Sequence, residues 1–80
     1  MDPPEGWAEV NGGLERELEF RDFAEALAFV NRAGDLAERE NHHPDIDIRW
    51  NTVTLRFRTH SADAITDRDH ALAAATNALV

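Results

Sequence analysis

Cysteine, lysine and tyrosine are all absent from this 80-residue chain. Without cysteine there are no disulfides and no thiolate chemistry, and the composition suits a reducing compartment. Without lysine, every fixed positive charge is an arginine; eight of these face 16 acidic residues, for a net charge of -8. Such a surface repels polyanions, which argues against nucleic acid and anionic membranes as partners. No apolar run approaches the roughly 20 residues of a membrane span. The N-terminus, Met1-Asp2-Pro3-Pro4-Glu5-Gly6, is acidic and has no hydrophobic stretch of signal-peptide type. A soluble, cytoplasmic protein is expected. Residues 1–80 are read as a single domain, and a chain this short buries only about 60% of its unfolded surface. Small domains usually add disulfides, a metal or self-association, and here only the last two are open.

The apolar pattern defines the elements. Trp7–Val10 and Leu14–Phe20 flank Asn11-Gly12-Gly13, a hairpin signal because Asn and Gly accept positive φ. In the second run Leu14, Leu18 and Phe20 share a face, interrupted by Arg16, with Glu15, Glu17 and Glu19 opposite. Asp22-Phe23-Ala24-Glu25 has the form of a capping box. Phe23, Ala26, Leu27, Val30, Ala33 and Ala37 then recur at helical spacing, with Phe29 and Leu36 widening the stripe, until Pro44 enforces a stop. Ile46, Ile48 and Trp50 alternate with charged residues, as do Val53, Leu55, Phe57 and Thr59, so two strands are expected around a turn at Asn51-Thr52. That register pairs Ile48 with Leu55, Asp47 with Arg56 and Asp45 with Arg58, and, extended, sets His43 across from His60. Thr66 caps a last helix whose apolar face is Leu72, Ala75 and Leu79. The fold class is α+β: a four-stranded antiparallel sheet with helices packed on one face, in the order β-β-α-β-β-α. Phe29 and Leu36 on the first helix, and Ala71, Ala74 and Ala78 on the second, are surplus to a single stripe. A homodimer or homotetramer is therefore expected.

All four histidines lie between positions 42 and 70. Imidazole, with an ordinary pKa of about 6.5, suits proton transfer near neutrality. His42, His43 and His60 are candidates for an acid/base site, with Asp69 or Glu38 as orienting carboxylates. His70, beyond the cap of the second helix, reads as structural, and Asp69 would be present for helix capping alone. There is no GxSxG elbow or other activated nucleophile; Ser61 merely follows His60. Adjacent histidines in extended chain point apart and no HExxH pair occurs, so no metal ligand set is expected.

Glu38-x3-His42-His43-Pro44-x5-Trp50-x9-His60-x8-Asp69 resembles the signature of the pterin-4a-carbinolamine dehydratases. The likeness runs from Gly6 to the end and includes Trp7, Phe20, Phe23, Asn51, Val53, Thr59 and Thr66. It implies dehydration of 4a-hydroxytetrahydropterin to quinonoid dihydropterin without metal or organic cofactor, recycling the pterin of aromatic amino acid hydroxylases. By that resemblance His42 and His60 are the acid–base pair and His43 orients the pterin. Glu38 and Asp69 orient imidazoles or contact the ring, and Trp50 forms part of the wall. The family also contains non-catalytic members that act as interaction or assembly proteins, and it implies dimers or dimers of dimers. Two departures stand out: Asp63-Ala64 replaces a frequent glycine pair, and little of the family's helical leader precedes Trp7.

Overall fold

The first turn follows from Asn11 and Gly12, which take φ of 48° and 81°. Both central residues of the two-residue loop are left-handed, the arrangement that matches the twist of the flanking strands. In the computed structural model, which describes residues 2–80, strand β1 (Ala8–Val10) therefore pairs antiparallel with β2 (Gly13–Glu19), Val10 against Gly13. Strands β3 (Asp45–Arg49) and β4 (Thr52–Phe57) form the second hairpin, and the sheet order is β1-β2-β4-β3. Helices α1 (Phe23–Glu40) and α2 (Asp67–Asn77) complete the β-β-α-β-β-α order, with one 3-10 turn at His60–Ala62.

The second turn differs from the expected one. It is Trp50-Asn51, not Asn51-Thr52, so Ile48 faces Val53, Ile46 faces Leu55 and Asp45 faces Arg56. Asn51 decides this: its side-chain amide donates to the Phe20 carbonyl (2.9 Å) and its own carbonyl accepts from the Phe20 N–H (2.8 Å). The turn is thus tied to the end of β2, and Trp50 is forced to φ 52°. Because the slip is two residues, each side chain keeps its face; a slip of one would have inverted them. Counted onward, the observed register sets His43 level with Arg58 and not with His60.

Asp22 caps α1 by accepting the Glu25 N–H (2.9 Å), while the Glu25 carboxylate accepts from Arg21 N–H (3.1 Å), one residue earlier than a closed capping box. The buried face of α1 is Ala26, Phe29, Ala33, Leu36 and Ala37. This turns the helix away from the stripe read in the sequence: Phe29 and Leu36 are core, whereas Phe23 and Leu27 are exposed. The large side chains Phe29 and Leu36 gain most from burial, so they set the rotation. They are therefore not spare surface for a partner. With Leu14, Leu18, Val53, Leu55, Phe57 and Leu72 they form one core between sheet and helices. Arg16, on the helix-facing side of β2, is accommodated because its guanidinium donates to the Asn77 amide oxygen, which also accepts from Trp7 Nε1 (2.9 Å).

Candidate active site

Helix α1 ends at Asn41, which takes the left-handed conformation at φ 50° and places His42 back against the helix, its N–H donating to the Ala37 carbonyl (3.1 Å). Asn is among the residues that accept this conformation readily. Arg68, in the first turn of α2, donates to the orphan carbonyls of Glu40 and Asn41 (3.2 and 2.9 Å). These bonds bring the His42-His43-Pro44 segment to the N-terminal end of α2.

His42 is buried beneath Phe57, the two rings nearly parallel with centroids 5.9 Å apart. Its Nε2–H donates to Asp69 Oδ1 at 2.6 Å. Asp69, wholly buried, also accepts from Thr59 Oγ1 (2.8 Å) and the Thr66 N–H (2.8 Å). Burial pushes this carboxyl up, but the bonds from the Thr66 N–H, His42 and Thr59 outweigh it and hold the group below its ordinary value of 3.8. An ionised carboxylate only accepts hydrogen bonds. The His42 proton therefore sits on Nε2, leaving Nδ1 as the nitrogen free to take a proton. This second role of Asp69 is independent of its capping bond to Thr66.

The other candidates assemble unequally around this pair. His43 is exposed, and its Nε2 meets Glu38 Oε2 at 2.5 Å. His60 opens the 3-10 turn after β4 and is exposed. His42, His43 and His60 line one cavity of about 340 Å³ together with Asn41, Pro44, Asp45, Arg58, Thr59, Ser61 and Arg68. A depression of about 390 Å³ on the outer sheet face, among Glu17, Asp47, Arg49, Thr52 and Thr54, has no histidine. Trp50 lies elsewhere. It is 67% exposed at the β3–β4 turn, seven residues along from His43 and hence on the order of 20 Å away. Within one chain it forms no wall of this cavity. Among the described residues, no three His, Asp or Glu side chains are grouped to hold a metal.

Sequence reading passed over Arg58, Arg68 and the buried hydroxyl of Thr59. Thr59 was legible as a hydroxyl continuing the inward alternation of Val53, Leu55 and Phe57; nothing local marked the two arginines. At the Asp63-Ala64 departure, Asp63 adopts φ 52° without glycine and its carboxylate pairs with Arg58. The loop thus keeps a left-handed residue, as Asp permits better than most side chains.

Taken together, fold and site define an α+β domain that presents a carboxylate-oriented imidazole beside two further histidines. The family model for pterin 4 alpha carbinolamine dehydratase matches residues 1–79, and the chain belongs to that family. A relative from Thermomicrobium roseum, provisionally named as a pterin-4-alpha-carbinolamine dehydratase, is 53% identical over 68 residues, covering 85% of this chain and 73% of its own. One from Acidobacterium capsulatum, named likewise, is 52% identical over 67 residues, 84% of this chain and 73% of that one. The crystal structure of a transcriptional coactivator/pterin dehydratase from Brucella melitensis superposes with a TM-score of 0.89 at 32% identity, over 94% of this chain and 82% of that one. A pterin dehydratase-like protein described as a RuBisCO assembly factor in the alpha-carboxysome shares the fold, with a TM-score of 0.75 at 22% identity over 91% of this chain and 84% of its own.

Proposed function

We propose that this protein dehydrates 4a-hydroxytetrahydropterins to the quinonoid dihydropterin by histidine acid/base catalysis. The observation that carries this reading is the Asp69–His42 hydrogen bond at the floor of a cavity that His43 and His60 also line. In the reaction the C4a–O bond breaks and a ring nitrogen loses its proton, so that a C=N bond forms and water leaves. One group must protonate the departing hydroxyl and another must take the ring proton, each step worth about 10²–10⁴-fold. His42 and His60 fill those two roles. His43, steadied by Glu38, holds the pterin, and Trp50 contributes to binding. No metal or organic cofactor is required. The cavity matches the lower end of the roughly 300–1,000 Å³ typical of small-molecule sites.

The same reading takes the protein as cytoplasmic and as a homodimer or homotetramer, with neither nucleic acid nor membrane as partner. The net charge of -8 speaks against polyanionic partners, and no helix of the described residues is long and apolar enough to cross a membrane. A purely interacting protein, of the kind described for the RuBisCO assembly factor, would leave the histidines idle. The test is turnover of enzymatically generated 4a-hydroxytetrahydropterin followed by ultraviolet absorbance. Dehydration well above the uncatalysed rate is expected; a rate equal to background at micromolar protein would leave the interaction reading standing.

A further inference from the structure

The turn that follows β4 is closed by its own backbone. The Thr59 N–H donates to the Ala64 carbonyl, the Ala62 N–H to the Thr59 carbonyl and the Asp63 N–H to the His60 carbonyl, each at 3.1 Å. The ion pair between Arg58 and Asp63 is therefore not needed to hold the turn. As a pair it is also a poor one. The Asp63 side chain is 83% exposed, and exposed pairs contribute little. Meanwhile Arg58 Nε is buried with no hydrogen-bond partner among the described residues. A buried N–H without an acceptor costs more than such a pair returns. Asp63 is ill placed on backbone grounds too, since glycine would take its φ of 52° more easily. Two residues thus keep a costly arrangement that the fold does not ask for.

Its position gives the arrangement a use. Arg58 lines the histidine cavity, level with His43 across the strands and beside the exposed His60. Arg58 and Arg68 against Asp45 leave the cavity lining one positive charge, in a chain of net charge -8. The Asp69 carboxylate beneath is taken up by His42, Thr59 and Thr66. Arg68 is engaged by the carbonyls of Glu40 and Asn41, so Arg58 is the guanidinium with donors to offer. We propose that Arg58 selects the substrate by binding an oxyanion, carboxylate or phosphate, on the C6 substituent of the pterin, with Asp63 holding the guanidinium aside until that anion displaces it. This rests on the proposed dehydratase and names the kind of pterin it takes. Nε and a terminal N–H stand side by side on a guanidinium and grip the two oxygens of a carboxylate or phosphate together. The exchange therefore gives the orphaned Nε its acceptor. C6 is joined to the reacting C4a through N5 alone, so its substituent stays within reach of an arginine on the same cavity.

Pterins fluoresce, so binding can be titrated directly with pterin-6-carboxylate, 6-hydroxymethylpterin phosphate and neutral 6-hydroxymethylpterin. At low ionic strength, where charge is least screened, the parent should bind the better anion at least tenfold more tightly than the neutral pterin. The two anionic arms tell carboxylate from phosphate. Arg58→Gln should bring that preference within about threefold. Asp63→Asn keeps a residue that accepts positive φ but frees the guanidinium, and should widen the preference at least threefold. If the pair only ties down the turn, the two substitutions move the preference the same way or not at all. Either of those results, a parent without preference, or a parent that binds none of the three pterins overturns the inference. Turnover separates this from the dehydratase reading. Dehydration of a neutral 4a-hydroxytetrahydropterin with no anion preference would sink the selection by Arg58 and keep the enzyme; a clear anion preference without dehydration would keep the site and refute the enzyme.

Discussion

Asp69 links helix formation to chemistry, because one carboxylate caps α2 through Thr66 and fixes the His42 tautomer. In Asp69→Asn the amide group can donate to Nε2 and favour the opposite tautomer, so kcat should fall at least tenfold while the fold survives. The low pKa of Asp69 has a sign that can be checked. A carboxyl held below its ordinary 3.8 contributes stability that is present above that value and lost as pH falls through the folded pKa. Urea midpoints of the parent should therefore drop from about pH 4 downward, and those of Asp69→Asn should drop less. His42→Ala and His60→Ala should each lower kcat at least tenfold. His70→Ala should change it little, since His70 lies outside the cavity and its buried Nδ1 has no hydrogen-bond partner. Equal rates for all three histidine variants would refute the assigned site.

Among the elements, α1 depends most visibly on its ends. Asp22→Ala removes the acceptor of the Glu25 N–H and should cost about 1 kcal/mol, lowering Tm by about 4–8 °C for a domain of this size. An unchanged Tm would mean that water or Glu25 replaces the cap. Both hairpins and both helices were legible from alternation, capping residues and turn residues. The register of β3 with β4 was not, because charge pairing was acceptable in either of two settings. Only the contact of Asn51 with Phe20, 31 residues away, separated them. The rotation of α1 was hidden for a similar reason: its ten apolar residues spread over more than one face, and the sheet beneath chose between them.

As a whole molecule, the domain has no disulfide, and the expected supplement is a second copy. The melting temperature should therefore rise with protein concentration, and a concentration-independent transition would count against assembly. Dialysis against a strong chelator should leave both melting and turnover unchanged; loss of either on removing stoichiometric zinc would sink the cofactor-free mechanism.

The sequence by itself determined the α+β class, the order of elements, and the spacing that marks His42, His43, His60 and Asp69, because periodicity and capping are local properties that neighbours along the chain enforce. Tertiary structure alone decided what those residues do to one another. Hydrogen bonds from Thr66, His42 and Thr59 keep the buried Asp69 carboxyl ionised against the cost of its burial, and that carboxylate orients the His42 imidazole; two of these partners lie 10 and 27 residues away. It likewise separated Trp50 from the histidines beside which the family resemblance had placed it, since an extended strand carries its two ends apart.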